Sequence, residues 1–234
     1  MLLTNTVNNL RSMIADKNNS SYIEKCDLTD LESQVFDNEK KLIIKPYAFW
    51  KGRDMNERRY FMYLHGIYVL PTAELIEWLR SMIIGNTIEI GAGNGSIART
   101  LSIPITDSRM QESPEIKFIY QMGGQPPIVY HNDIEKLDAI EAVRKYEPDT
   151  VIGAFITHKF DPKIGNGNAF GVDEIKMLHK IKRRYINIGN KHTHKDKPLL
   201  KIPHTEYQFD WLITRSVDQF QNVIFVFDKA QIEL

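Results

Sequence analysis

One stretch constrains this chain more than any other: Thr87-Ile88-Glu89-Ile90-Gly91-Ala92-Gly93-Asn94-Gly95-Ser96-Ile97-Ala98-Arg99. An apolar β-type run breaks into three alternate glycines and resumes as a short helical pattern. A buried parallel strand turns in this way into the helix that lies over a ligand. Glycine suits those places because a side chain would hold the backbone away from a ligand, and because such a turn uses positive φ. The helix, beginning near Asn94 to Ser96, is expected to aim unpaired amides and a partial positive charge into the same space. A purely structural strand–turn–helix junction competes with this reading, but three glycines in five residues tell against it. Beyond the helix, Ile103 to Ile105 lead to an acid at a strand end, Asp107.

Spacing separates the candidate ligands. A dinucleotide site asks for G-x-G-x-x-G/A and an acid about 20 residues further on. Here the glycines run G-x-G-x-G into Ser96, and Asp107 comes sooner. The run resembles the first motif of the class I S-adenosyl-L-methionine (SAM) dependent methyltransferases, E/D-x-G-x-G-x-G at the end of strand 1. Glu89, Gly91, Gly93 and Gly95 stand in its four places. The resemblance implies that Glu89 helps place the methionine end of the cofactor and that Gly91, Ala92 and Gly93 lie against it. It also implies that Asp107, with Ser108, takes the ribose hydroxyls. That role of Asp107 makes chemical sense on its own, since an ionised carboxylate accepts two hydrogen bonds from a vicinal diol. The same resemblance puts Asp133 by the adenine amino group, Ile134 against the ring, and Ala154 beside the cofactor at the end of strand four. For Asp133, a surface carboxylate opening the helix of Leu137, Ile140 and Val143 is an equal alternative.

The resemblance implies an α/β fold: a seven-stranded, mostly parallel sheet with helices on both faces, preceded by an N-terminal helical extension. We place the extension at residues 1–64 and the SAM-binding domain at 65–234. Leu70-Pro71-Thr72 opens the clearest helix, with Thr72 as N-cap and Leu75, Ile76, Leu79, Met82 and Ile83 on one stripe. The segment Gly66-x-Tyr68-x-x-Pro71-Thr72 looks like one that closes over the methionine end in some of these enzymes. Strands are expected after Pro104, at Ile128 to Tyr130, at Thr150 to Ile156, at Tyr185 to Ile188, and as an antiparallel closing pair at Tyr207 to Ile213 and Val223 to Phe227. A glycine-rich loop from Gly165 to Gly171 follows strand four. Aromatic and basic residues interleave from Tyr47 to Tyr68, either as the packed side of the extension or as a base-stacking surface.

Composition narrows the partners. Thirty basic and thirty acidic residues cancel, so no whole-molecule field draws in nucleic acid or an anionic membrane. The single cysteine, Cys26, forms no internal disulfide and suits a reducing, cytoplasmic setting. No secretory signal and no membrane-length apolar run is present.

Methyl transfer from a sulfonium needs chiefly alignment. Where the acceptor must lose a proton, His158 after strand four is the best-placed base, with a solvated loop histidine as the alternative. The Asp/Asn-Pro-Pro-aromatic motif of exocyclic DNA amine methylation is missing, since the corresponding place reads Ala154-Phe155-Ile156-Thr157. No cysteine nucleophile follows strand four either. His192, His194 and Asp196 sit in a lysine-rich loop without a defined third-ligand spacing, and we assign no metal. The lysines and arginines between Lys176 and Lys201 read as a solvated face before they read as a phosphate site. These features lead to a SAM-dependent methyltransferase acting on a small or mid-sized acceptor. A non-catalytic SAM-binding scaffold and a methyltransferase acting on nucleic acid are the alternatives.

Overall fold

A computed structural model of the chain describes residues 23–122, 125–159, 167 and 171–232. The first 22 residues and most of the glycine-rich stretch after strand four lie outside the described residues. Three helices precede the main sheet: α1 (Thr29–Val35), α2 (Tyr47–Lys51) and α3 (Met55–Leu64). The long apolar stripe forms α4 (Ala73–Met82), capped by Thr72, whose hydroxyl accepts the Leu75 amide at 3.2 Å. Strand β1 (Thr87–Ile90) leads to α5 (Ser96–Leu101), and β2 (Thr106–Asp107) to α6 (Pro114–Met122). Then come β3 (Glu135–Lys136), α7 (Ala139–Tyr146), β4 (Thr150–Ala154), α8 (Glu174–Lys180), β5 (Arg184–Asn190), α9 (Lys191–His194), β6 (Thr205–Tyr207) and β7 (Asn222–Asp228).

Five strands form the main sheet in the order β1-β4-β5-β7-β6. Strand β4 is parallel to both neighbours, with Glu89 opposite Ile152 and Ile152 opposite Ile186. Strand β7 runs antiparallel to both β5 and β6. Alternating side chains feed two cores. Val151, Tyr185 and Phe225 pack with α7 and α8 on one face, while Ile152, Ile186 and Ile224 pack with α4 and α5 on the other. Helices therefore cover both faces. A third cluster joins Leu31, Val35, Trp50 and Phe61 of the first three helices to Ile67, Leu70 and Ile213. The N-terminal helices thus share a core with the body of the chain.

The sheet departs from a continuous seven-stranded one, because β2 and β3 form a separate parallel pair. The cause lies at Pro104, which has no amide to donate where β2 meets β1. The junction is reduced to one parallel bridge, Glu89 to Ile105, with the Glu89 amide on the Pro104 carbonyl at 3.1 Å. The Thr106 hydroxyl adds a bond of 2.7 Å to the Glu89 carbonyl. Two further strand expectations are corrected. Ile128 to Tyr130 is irregular, its Ile128 amide held by the Gln111 side chain at 2.9 Å, and the strand falls at Glu135–Lys136 instead. Strand β6 stops at Tyr207, after which Phe209 and Trp211 stack with ring centroids 4.2 Å apart, so a long connection replaces the short turn.

Behind the end of β4 lies a buried ion pair. Lys197 Nζ sits 2.8 Å from each carboxylate oxygen of Glu174 and donates to the Ile156 carbonyl at 2.9 Å. Tyr185 and Asn187 also donate to Glu174, at 2.8 and 2.7 Å. Losing one member of such a pair strands the other charge. Lys197→Met should cost about 3–5 kcal/mol in chemical denaturation, and adding Glu174→Gln should recover part of it. Equal losses in the single and double variants would show that the uncompensated charge is not the cause.

Candidate cofactor and acceptor site

At the carboxyl ends of β1, β2 and β4, the chain encloses a cavity of about 200 Å³. The glycine turn forms its floor. Gly91, Gly93 and Gly95 all have positive φ, at 55°, 58° and 74°. A Cβ on Gly91 would fall 2.5 Å from the Ile156 side chain, and one on Gly95 would fall 2.9 Å from Ile105. Conformation and space both demand glycine there.

Gly95 caps α5 without a side chain, and Glu89 supplies what is missing. Its Oε2 accepts the amide of Ala98, the third helical residue, at 2.9 Å. Asn94 Oδ1 accepts the Ser96 amide at 3.1 Å. Two first-turn amides that the sequence left open to a ligand are therefore capped within the protein. Glu89 itself is only 1% exposed and lines the cavity, and burial raises its carboxyl to about 8.

Asp107 is 7% exposed, more enclosed than a solvated strand-end acid. Its oxygens accept the Gly93 amide at 2.9 Å and the Arg109 amide at 2.7 Å, tying the turn to β2. Burial raises its carboxyl above the ordinary value against the lowering effect of those amides and of the Tyr130 hydroxyl. A carboxylate offers about four lone-pair positions, and with two amides and the Tyr130 hydroxyl in place one remains for a ligand.

Of the other residues singled out in the sequence, Ala92, Ser108 and Ala154 line the cavity. Asp133 and Ile134 do not. Asp133 forms a two-pronged ion pair with Arg99, at 2.7 and 2.9 Å, which holds its carboxyl below the ordinary value. Asp138, not Asp133, opens α7 through a capping box with Glu141. Ile134 is buried with Ala98 and Ile105 beneath the turn. His158 follows Thr157, a lining residue, but is itself absent from the lining, and its backbone bridges to Val172. His194 is buried against Phe155, with ring centroids 5.0 Å apart, and burial followed by the Lys197 charge lowers it to about 4.

The segment Gly66 to Val69, singled out in the sequence, lines the far wall. Other wall residues escaped the sequence reading: Gln111, Tyr120, Ile128, Tyr130 and Phe155. Phe155 holds φ at 54°, a strained value for a bulky side chain, immediately after Ala154. Such outliers cluster at functional sites. No sequence signal marked them, because loops of distant origin bring these rings together.

No protein-family model matches the chain, and no curated protein matches it. Among solved structures the chain is similar to several SAM-dependent methyltransferases. One is magnesium protoporphyrin IX methyltransferase from Synechocystis PCC 6803 with bound SAM, at 14% identity and TM-score 0.38, covering 87% of this chain and 97% of that one. Another is precorrin-6y C5,15-methyltransferase from Geobacter metallireducens GS-15, at 10% identity and TM-score 0.34, covering 66% of this chain and 86% of that one. A third is a SAM-dependent methyltransferase from Thermotoga maritima, titled a possible histamine N-methyltransferase. It matches at 14% identity and TM-score 0.34 over 74% of this chain and 95% of that one. Among the described residues no helix is long and apolar enough to cross a membrane.

The state of Glu89 sets a pH dependence. In the folded chain it stays protonated up to about pH 8, whereas unfolded it ionises near 4.5. Between those values the unfolded state holds fewer protons, so stability falls as pH rises. Glu89→Gln keeps an acceptor for Ala98 and removes the titration. Its stability should lose that slope between pH 4.5 and 8 relative to the parent, followed by urea denaturation across the range. Parallel profiles for the two proteins would show that Glu89 is not buried as described.

Proposed function

We propose that the chain is a SAM-dependent methyltransferase acting on a small or mid-sized acceptor. The observation that carries this reading is the placement of Glu89, the left-handed glycines and Asp107 around one cavity at the strand ends. The fit is chemical as well as spatial. Gly93 has no neighbour closer than 3.6 Å to a Cβ position, so bare backbone faces the cavity there. Glu89 offers a buried carboxyl to an ammonium, and Asp107 offers an acceptor to a diol. An ammonium beside Glu89 would favour its ionised form by charge, and hydroxyl donors at Asp107 would favour the ionised form by hydrogen bonding.

When bound, the cofactor supplies an activated methyl group: the bond to its sulfonium sulfur breaks, the electron pair stays on sulfur, and the acceptor's lone pair forms the new bond. The protein's part is alignment. Ala154 to Thr157 border the acceptor side, and Lys197 holds the Ile156 carbonyl at 2.9 Å, fixing that border. Tyr68, Tyr120 and Tyr130 wall the space and exclude water. On this reading Asp133 and Ile134 support the adenine end from behind the Arg99 pair and the turn, and His158 is a base only if its loop brings it to the acceptor. The single cysteine fits a cytoplasmic setting.

Calorimetric titration should show binding of SAM and S-adenosylhomocysteine and none of NAD, and the reverse pattern would sink the reading. Asp107→Asn keeps the shape and one amide partner. It should weaken S-adenosylhomocysteine binding about 10- to 100-fold, the loss of one charge-assisted bond. Unchanged affinity at an unchanged melting temperature would remove Asp107 from the ribose role.

A further inference from the structure

We infer that the acceptor carries an anionic group, a carboxylate or a phosphate, docked against Arg215 at the Tyr68 end of the cavity. This inference rests on the methyltransferase reading and names the acceptor's chemical class. Its basis is a cation with no counter-ion among the described residues. Arg53, Arg99, Arg109, Arg183 and Arg184 each sit on a carboxylate. Arg215, like Arg58, Arg80 and Arg144, enters no ion pair among the described residues, and of these four it is the one that lies against a ring of the cavity wall. Its guanidinium stands just outside the cavity lining, 3.8 Å over the ring of Tyr68, a residue of the cavity wall.

The group is also held in place. The Arg215 amide donates to the Tyr68 carbonyl at 2.9 Å, beside the Val69 to Thr214 bridge. Gln125, 8% exposed, has its side-chain amide against both Arg215 and Tyr68; with the amide turned so that its oxygen faces the donors, that oxygen accepts from the two terminal nitrogens of Arg215 at 3.1 and 3.2 Å and from the Tyr68 hydroxyl at 3.1 Å. Tyr120, another wall residue, hydrogen bonds to Tyr68 through its side chain. One neutral acceptor therefore orients a cation and the Tyr68 phenol, which in turn holds Tyr120, and leaves guanidinium donors over from their five. Such a planar fork matches a carboxylate or phosphate.

Position gives the group its purpose. Tyr68 packs on Phe155 with ring centroids 6.0 Å apart, and Phe155 belongs to the strained turn after β4. An anion at Arg215 thus lies one ring away from the border where acceptor and cofactor meet. The other carboxylates of the cavity, Glu89 and Asp107, belong to the cofactor end. A cationic acceptor would meet the like charge of Arg215 at the Tyr68 end.

The test uses the full chain, labelled-methyl SAM and a small-molecule cell extract split by ion exchange into anionic, neutral and cationic fractions. Label should enter the anionic fraction. Arg215→Gln should lower that labelling at least about tenfold, the scale of a lost charge-assisted bond, with SAM affinity unchanged. Phosphatase treatment of the fraction distinguishes the sources, since a phosphate acceptor loses labelling and a carboxylate keeps it. Labelling of the neutral or cationic fractions alone overturns the inference, as does full activity in Arg215→Gln. SAM binding without label in the anionic fraction also overturns it and leaves the cofactor reading intact, whereas a chain that does not bind SAM fails the cofactor reading itself. Should Arg215→Gln not fold, Arg215→Lys keeps the charge without the fork. A several-fold higher KM for the anionic fraction then supports the inference, and an unchanged KM overturns it.

Discussion

The hydrogen bond from the Ala98 amide to Glu89 is the interaction on which the site depends. A turn with three left-handed glycines is poorly determined by its own backbone, since glycine loses more freedom on folding than any other residue. The Glu89 carboxyl fixes its exit by capping the helix that follows, and the Asp107 carboxyl fixes its middle by holding Gly93. Both acids are buried, and burial favours their neutral forms. The free chain thus keeps Glu89 in a state that a cationic ligand would change. Under the proposed function, support of the turn and recognition of the ligand fall to the same two side chains.

Much of this was legible in the sequence, for local reasons. The alternate glycines needed only positive φ, the apolar stripe of α4 needed only Thr72 to start it, and the run Val151 to Ala154 is long and apolar enough to be a central strand. Strand pairing across long gaps was harder. Ile128 to Tyr130 has strand composition, yet its first amide is taken by Gln111, so the run lines the cavity instead of joining the sheet. The enclosure of Asp107 by Arg109 and Tyr130 is likewise invisible in spacing alone.

The acceptor side was the least legible, because no single segment builds it. Tyr68 comes from before the sheet, Tyr120 from α6 and Phe155 from the end of β4, while Arg215 lies over the Tyr68 ring outside the lining. Aromatic residues among basic ones between Tyr47 and Tyr68 had two readings, and the structure uses most of them as packing: Trp50 and Phe61 are buried in the N-terminal cluster. Tyr68, the last of the run, is the one that reaches the cavity.

Pro104 leaves a seam in the sheet, and the seam runs through the site. On one side are the glycine turn and β4, anchored by a full ladder; on the other are Asp107 and Ser108, attached through one bridge and a few single bonds. A ligand spanning the cavity touches both sides and so acts as a rivet. Its binding free energy then appears as mechanical continuity between the two-stranded pair and the main sheet, a coupling that a sheet with an uninterrupted ladder would already have without any ligand.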